Sequence, residues 1–198
     1  MTEEKYFFEK EVFSKPNYEF NFEFDKDLIK EILRHKKSGK VLELGCGEGG
    51  ISLELARRDF DVTCIDISKS AIDAIIDKAK REKIKINAIC EDLDNYKIKD
   101  DYDIIIANGF FHFLKKERVF ELIENCKEHT NQGGIHLIEV LLEEDPSQEE
   151  DSEGYYFPKN KLKEIYSDWM VKEYEEYEEY DEEEEGNNKL ASIIAARE

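Results

Sequence analysis

The sequence predicts a Rossmann-like α/β fold, and three observations predict it. Residues 40–50, KVLELGCGEGG, run a short apolar strand into a glycine-rich turn that opens a helix. Two later strands, DVTCID at 61–66 and KINAIC at 85–90, end in an acid or run straight into one. A fourth carries the apolar run Ile104 to Ala107 and closes on Asn108 and Gly109. Segments of helical period separate the first three of these strands, the alternation that builds a mainly parallel sheet with helices on both faces.

The glycine turn organises the rest. Val41, Leu42 and Leu44 supply the run that a buried parallel strand needs, while Gly45, Gly47, Gly49 and Gly50 clear side chains from the path of a ligand. The helix is expected to start at Glu48 or Gly49, with Ile51, Leu53, Leu55 and Ala56 toward the sheet and its free N–H groups aimed at the turn. No Gly-Lys-Ser/Thr closes the turn and Glu48 has the wrong charge for phosphates, which excludes a phosphate-binding loop. Gly45, Gly47 and Gly50 satisfy the dinucleotide fingerprint, and Asp66 stands nineteen positions after Gly47, where a ribose-binding acid belongs. Against a dinucleotide stands Glu43, an acid two residues before the first glycine. A carboxylate there repels a pyrophosphate and suits a ligand that carries an ammonium group.

Before the turn, the alternation Tyr18, Phe20, Phe22, Phe24 has period two and predicts an extended segment or edge strand. Residues 1–24 either cover the sheet's end or act as a lid in which Tyr6 to Phe8 close a pocket. A helix is expected from Asp25 to Lys37, with Leu28, Ile29, Ile32 and Leu33 on its apolar face and Ser38-Gly39 as its stop. After the second strand, Ser68 can cap a helix carrying Ala71, Ile72, Ile75 and Ile76, which leaves Asp66 available for a ligand. A helix over 116–129 leads to the turn Asn131-Gln132-Gly133-Gly134 and a fifth strand over 135–142.

Residues 143–154 read as a solvated, mobile acidic loop. A helix should start near Pro158, with Leu162, Ile165, Tyr166 and Trp169 at helical spacing and Trp169 anchored on a last hairpin. Residues 173–185 carry ten acids, and their tyrosines at every third position suit neither a clean strand nor a long amphipathic helix. Residues 189–197 read as a closing strand, so that two antiparallel strands joined by the acidic turn complete a sheet of seven.

Length and charge bound the class. At 198 residues the chain fits one domain. Formal charge is −20, 49 acids against 29 bases, so nucleic acid is repelled over most of the surface. No apolar run reaches the roughly 18 residues of a membrane span, and Cys46, Cys64, Cys90 and Cys126 form no C-x-x-C pair and no metal-ligand spacing with histidine. A cytoplasmic protein with reduced, mostly buried thiols, no metal and no membrane partner is the expectation.

With Glu43 in place, the run E-L-G-C-G-E-G-G resembles motif I of the class I S-adenosylmethionine-dependent methyltransferases. That resemblance implies a seven-stranded sheet of order 3-2-1-4-5-7-6 with the last strand antiparallel. It also implies cofactor contacts from Glu43 at the methionine end, from Gly45, Cys46, Gly47 and Gly49 in the turn, and from Asp66 on both ribose hydroxyls with Ile67 beside it. Asp92 and Leu93 correspond to the adenine-binding motif, with Glu91 and Asp94 as competing acids. Asn108 would face the methyl group, with Phe110, Phe111 and His112 on the acceptor side. Tyr6, Asn108 and His112 are the candidate catalytic residues, although His112 reads equally well as a partly buried structural histidine.

Three blocks, VLELGCGEGGISLELARRDFDVTCID, DYDIIIANGFFHFL and residues 156–169, narrow the resemblance to the tellurite-resistance methyltransferase family. It implies a single domain over 1–198, with a cover or lid at 1–24, a cofactor-binding core at 25–142 and an acceptor-side loop, helix and hairpin at 143–198. It implies methyl transfer to a small chalcogen- or thiol-type acceptor by a monomer or homodimer. One departure stands out: near the end of its penultimate strand that family has a His-Arg pair suited to an oxyanion, whereas residues 177–185 here are acidic. A neutral, thiol-bearing or cationic acceptor fits better. The alternatives are methylation of a basic protein, a non-catalytic interaction module, and, more remotely, a nicotinamide dehydrogenase.

Overall fold

Seven strands form one mixed sheet in the order β3-β2-β1-β4-β5-β7-β6. In chain order the elements are α1 (Phe22–His35), β1 (Lys40–Leu44), α2 (Gly50–Arg57), β2 (Asp61–Asp66), α3 (Lys69–Glu82) and β3 (Asn87–Cys90). They continue with β4 (Tyr102–Asn108), a 3-10 turn (Phe111–Phe113), α4 (Lys116–Glu128), β5 (Thr130–Leu141), α5 (Lys161–Ile165), β6 (Met170–Asp181) and β7 (Gly186–Ala196). The computed structural model describes residues 22–143, 145–148, 153–181 and 186–198. The predicted strand order and the antiparallel last strand both hold. Among the described residues no helix is long and apolar enough to cross a membrane.

The chain divides between Tyr96 and Lys97 into two compact units. In the first, β1 pairs parallel with β2 and β2 with β3. Val41, Leu42 and Leu44 are fully buried, as a strand covered on both faces requires. Leu53 of α2 and Ile72, Ile75 and Ala79 of α3 close a core cluster with Cys46 and Cys64. The alternation Tyr18 to Phe24 is corrected in part: Phe22 and Phe24 begin α1, while Tyr18 and Phe20 lie outside the described residues. Phe24 stands four positions before Leu28, so the period-two run is also in phase with the helix that follows it. Helix α2 begins at Gly50, one residue beyond the expected start, because Gly49 takes a left-handed conformation (φ 74°) as its cap.

In the second unit, β4 pairs parallel with β5, and β7 runs antiparallel between β5 and β6. The turn expected at 131–134 lies inside β5. The β4 register jumps from Tyr102 opposite Thr130 to Ile104 opposite Ile135, so residues 131–134 bulge out of the ladder. Gly133 has φ 73° there and donates its N–H to the Arg197 carbonyl at 2.8 Å. The acidic tyrosine segment is also corrected, because Met170–Asp181 forms one strand. Eleven cross-strand pairs with the apolar β7 outweigh its irregular pattern. Strand β6 closes the sheet order, and a row of glutamates on such an edge repels a further strand. The helix expected from Pro158 is only the five residues of α5.

A buried polar cluster that the sequence did not announce fastens this unit. His136 of β5 is fully buried, with Nε2 2.6 Å from Thr130 Oγ1 and Nδ1 2.7 Å from Tyr166 Oη. Thr130 donates its hydroxyl hydrogen to the Cys126 carbonyl at 2.6 Å, so it accepts from His136 Nε2–H, and Tyr166 donates to Nδ1. That assigns the neutral Nε2–H tautomer. Trp169 packs on the His136 ring at 4.6 Å. Lys127 of α4 ties the same block through the Ile165 carbonyl (2.6 Å) and Asp168 (2.9 Å).

Burial, with the nearby Lys127 charge, lowers the His136 pKa from 6.5 to about 3. The unfolded chain therefore binds a proton that the folded chain refuses, and stability falls as pH drops from 6.5 toward 3. His136 should contribute a slope of up to about 1.4 kcal/mol per pH unit in that window. Urea unfolding of wild type and His136→Gln between pH 4 and 7 checks this, and the variant should show the shallower slope.

Candidate active site

Strand β1 carries a carboxylate at its buried end. Glu43 is almost wholly buried and receives the hydroxyl hydrogen of Ser52 from the first turn of α2. A buried acid needs such a partner, and here it fixes the carboxylate beside the turn that follows. Gly45, Gly47 and Gly49 all take positive φ, at 68°, 50° and 74°. This repeated left-handed backbone explains why the stretch is so rich in glycine.

Four of the turn's amides are already engaged. Gly45 and Cys46 donate to the Ile65 carbonyl at 2.9 and 3.0 Å, Gly49 donates to Cys46 O at 2.9 Å, and Gly47 donates to Asp66 Oδ2 at 2.8 Å. A phosphate cradle needs these groups free. What the turn offers instead is bare backbone next to two carboxylates. Burial, then the hydrogen bond to Cys64, holds the Cys46 thiol protonated, which suits a packing role.

Asp66 is the hub of this half. Its Oδ1 accepts the Ser68 N–H at 2.8 Å and its Oδ2 the Gly47 N–H. A carboxylate has about four acceptor sites, and these two bonds fix its orientation. Ser68 caps α3 as expected, its Oγ accepting from Ala71 N at 3.1 Å. The Asp66 carbonyl binds Glu91 N–H at 3.0 Å, and the Ile67 carbonyl accepts from Cys90 Sγ at 3.5 Å, which brings the end of β3 alongside. Beyond it, Asp92 is half-buried and accepts Asp94 N–H at 3.0 Å, Leu93 is buried, and Glu91 and Asp94 are exposed. The first unit thus gathers Glu43, the glycines, Asp66, Ile67, Asp92 and Leu93.

The second unit holds Asn108 and His112. Asn108 ends β4, and its Oδ1 is buried without a hydrogen-bond partner among the described residues. Gly109 turns the chain with φ 64° into the 3-10 turn. His112 Nδ1 is likewise buried without a partner, and burial lowers its pKa to about 4, so the ring is neutral near pH 7. Its ring lies 3.8 Å from that of Phe113 and 5.9 Å from that of Tyr156. Phe110 and Phe111 are core residues, Phe111 packing on Phe157 at 6.1 Å, so they support this region from beneath. Tyr6 lies outside the described residues.

Two features escaped the sequence reading. Asp145, expected in a solvated loop, is buried and accepts from Ser147 N at 2.9 Å and Lys189 N at 2.6 Å, pinning the loop to β7. Glu139, opposite Asn108 in the β4–β5 register, accepts the hydroxyl of Tyr177. The signal for Glu139 was the one that singled out Glu43: an acid interrupting an apolar strand, here IHLIEVLL.

Comparisons with known proteins bear on the family and the fold. The family model "Tellurite resistance protein TehB" matches residues 6–194. A probable S-adenosyl-L-methionine-dependent methyltransferase TehB of Haemophilus influenzae is 36% identical over 164 residues, which cover 80% of this chain and 57% of that relative. A ubiquinone biosynthesis O-methyltransferase of Rickettsia canadensis is 31% identical over 102 residues, 52% of this chain and 42% of that one. The chain spans little more than half the length of the curated TehB relative it matches. Among solved structures, TehB from Haemophilus influenzae superposes with a TM-score of 0.78 at 31% identity, covering 100% of this chain and 68% of that one. The N-methyltransferase NodS from Bradyrhizobium japonicum, in complex with S-adenosyl-L-homocysteine, gives 0.74 at 16% identity with 98% of both chains covered, a likeness of fold alone.

Proposed function

As the chain belongs to the TehB tellurite-resistance family, we propose that it is an S-adenosylmethionine-dependent methyltransferase acting on a small soft nucleophile of the chalcogen or thiol type. The observation that carries this reading is the oriented Asp66 carboxylate beside a glycine turn in which the amides of Gly45, Cys46, Gly47 and Gly49 are already bonded. That arrangement suits a ribose and a sulfonium ligand and does not suit a pyrophosphate.

In this reading Glu43 holds the cofactor's ammonium end, Gly45 to Gly49 with Cys46 let the methionine portion pass, Asp66 accepts the ribose hydroxyls next to Ile67, and Asp92 and Leu93 hold the adenine. When bound, the cofactor supplies the activated methyl carbon. The protein's task is alignment and exclusion of water, with Asn108, His112 and Tyr6 on the acceptor side. A neutral His112 can accept a proton but carries no charge to attract an anion.

The exposed acids Glu173, Glu175, Glu178 and Glu179 of β6 favour a second reading, methylation of a basic protein. Salt separates the two. Transfer of labelled methyl groups to small thiols should change less than about 2-fold between 20 and 200 mM salt, whereas recruitment of a basic protein should weaken steeply. Labelling of a lysine-rich protein but of no small acceptor would refute the first reading.

A further inference from the structure

Asn108 of β4, Glu139 of β5 and Ser192 of β7 occupy one register line across three adjacent strands. Paired positions on neighbouring strands present their side chains to the same face, so these three form a polar row. Glu139 and Ser192 are each partly exposed while the residues on both sides of them, Ile138, Val140, Ala191 and Ile193, are buried. Tyr177 of β6 donates its hydroxyl to Glu139 from beyond β7. Next in the row, Asn108 Oδ1 is a buried acceptor with no partner among the described residues, the mark of a ligand position.

We propose that Glu139, oriented by Tyr177, is the general base that takes the proton from a protic methyl acceptor, a small neutral thiol, bound at the Asn108 end of this row. The proposal rests on the methyltransferase reading above and names the acceptor class for it. The acceptor's S–H proton passes to a Glu139 carboxylate oxygen, and the sulfur lone pair so freed forms the new S–CH3 bond. The carbon–sulfonium bond breaks with its electron pair going to the sulfonium sulfur, and Glu139 later gives its proton to water. Tyr177 keeps its own proton throughout, because burial and the adjoining Glu139 hold its hydroxyl well above the usual phenol range.

Electrostatics agree with this role. Burial chiefly, with Glu179 adding to it and the Tyr177 bond opposing, raises the Glu139 carboxyl to about 7. Among the described residues, the other titratable groups acting on the pair are Glu175 and Glu179, both on β6, while β4 and β7 contribute Asn108 and Ser192, which do not titrate. A base of that strength is half-ionised near neutrality and matched to a thiol. The same acids repel an oxyanion acceptor.

The test uses the full chain, Glu139→Gln and Tyr177→Phe, with two probe acceptors: mercaptoethanol, protonated at pH 7, and para-nitrothiophenol, already ionised there. S-adenosylhomocysteine binding by calorimetry should be equal in all three proteins. Glu139→Gln should lower kcat on mercaptoethanol by at least about 100-fold and on para-nitrothiophenol by less than about 3-fold. Tyr177→Phe, which keeps the base, should lower the first by about 10-fold. Independently of turnover, carbon-13 spectra of glutamate-labelled protein should show one carboxyl titrating near pH 7, absent in Glu139→Gln. Equal losses on both thiols, no loss on either, or wild-type turnover of neither thiol despite cofactor binding would overturn the proposal. Failure of wild type to bind S-adenosylhomocysteine would overturn the methyltransferase reading itself, and the two failures are thereby told apart.

Discussion

Replacing Asp66 with alanine should weaken S-adenosylhomocysteine binding by at least about 100-fold. A hydrogen bond to a charged acceptor contributes about 1.5–3 kcal/mol, and two ribose hydroxyls give about 3–6 kcal/mol, two or more decades of affinity. The same carboxylate receives Gly47 N–H and Ser68 N–H, so its removal also frees the turn and the cap of α3. Asp66→Asn separates these contributions. It keeps one acceptor oxygen, loses the charge and turns an NH2 donor toward one of the two backbone N–H groups, and should unfold at a higher temperature than Asp66→Ala while binding at least about 10-fold more weakly than wild type. Calorimetric titration with parallel thermal unfolding checks both variants. Wild-type affinity in Asp66→Ala would remove Asp66 from the site.

Gly49→Ala should be strongly destabilising. Its φ of 74° disfavours any side chain, and an added Cβ would lie 2.7 Å from Ile75 Cγ1 and 2.8 Å from Cδ1 in the core of α3. Left-handed backbone costs about 1–2 kcal/mol for an L residue and overpacking another 1–3 kcal/mol. The midpoint of thermal unfolding should fall by about 5–15 °C at 2–4 °C per kcal/mol. Gly109→Ala provides the control, because its φ is 64° but nothing lies within 4 Å of the added carbon. It should lose only about 1–2 kcal/mol. Scanning calorimetry of the pair isolates the Ile75 contact, and equal losses would show that contact to be without effect.

Much of this molecule was legible because its signals are local. Three left-handed residues within five positions leave a dense glycine pattern, and the apolar run at 40–44 together with the acid of Asp66 follows from burial at strand ends. What was misread depends on partners distant in sequence. Strand β6 has a period of three in its tyrosines, and only the apolar β7 opposite it makes it a strand. Phe22 and Phe24 satisfy two periods at once, and the helix that follows decides between them. Asp145 looks like one of many loop acids until Ser147 and the Lys189 amide close on it, a bond forty-four residues away in sequence. His136, Thr130 and Tyr166 are ordinary residues in the sequence and become a buried network only through the packing of α4, β5 and the block after α5. In the candidate site the same division holds. Glu43, Asp66, Asp92 and Asn108 stand at strand ends where a reader looks, whereas Glu139 gains meaning from Asn108 and Tyr177 across the sheet.

Calorimetric titration of the unmodified chain with S-adenosylhomocysteine and, separately, with NAD tests the central claim most directly. Both ligands carry a ribose for the proposed Asp66 position, but only NAD brings a pyrophosphate to a turn in which four amides are already bonded and whose approach is flanked by Glu43. Micromolar binding of S-adenosylhomocysteine with no heat from NAD is the predicted result, and binding of NAD, or of neither ligand, would contradict it.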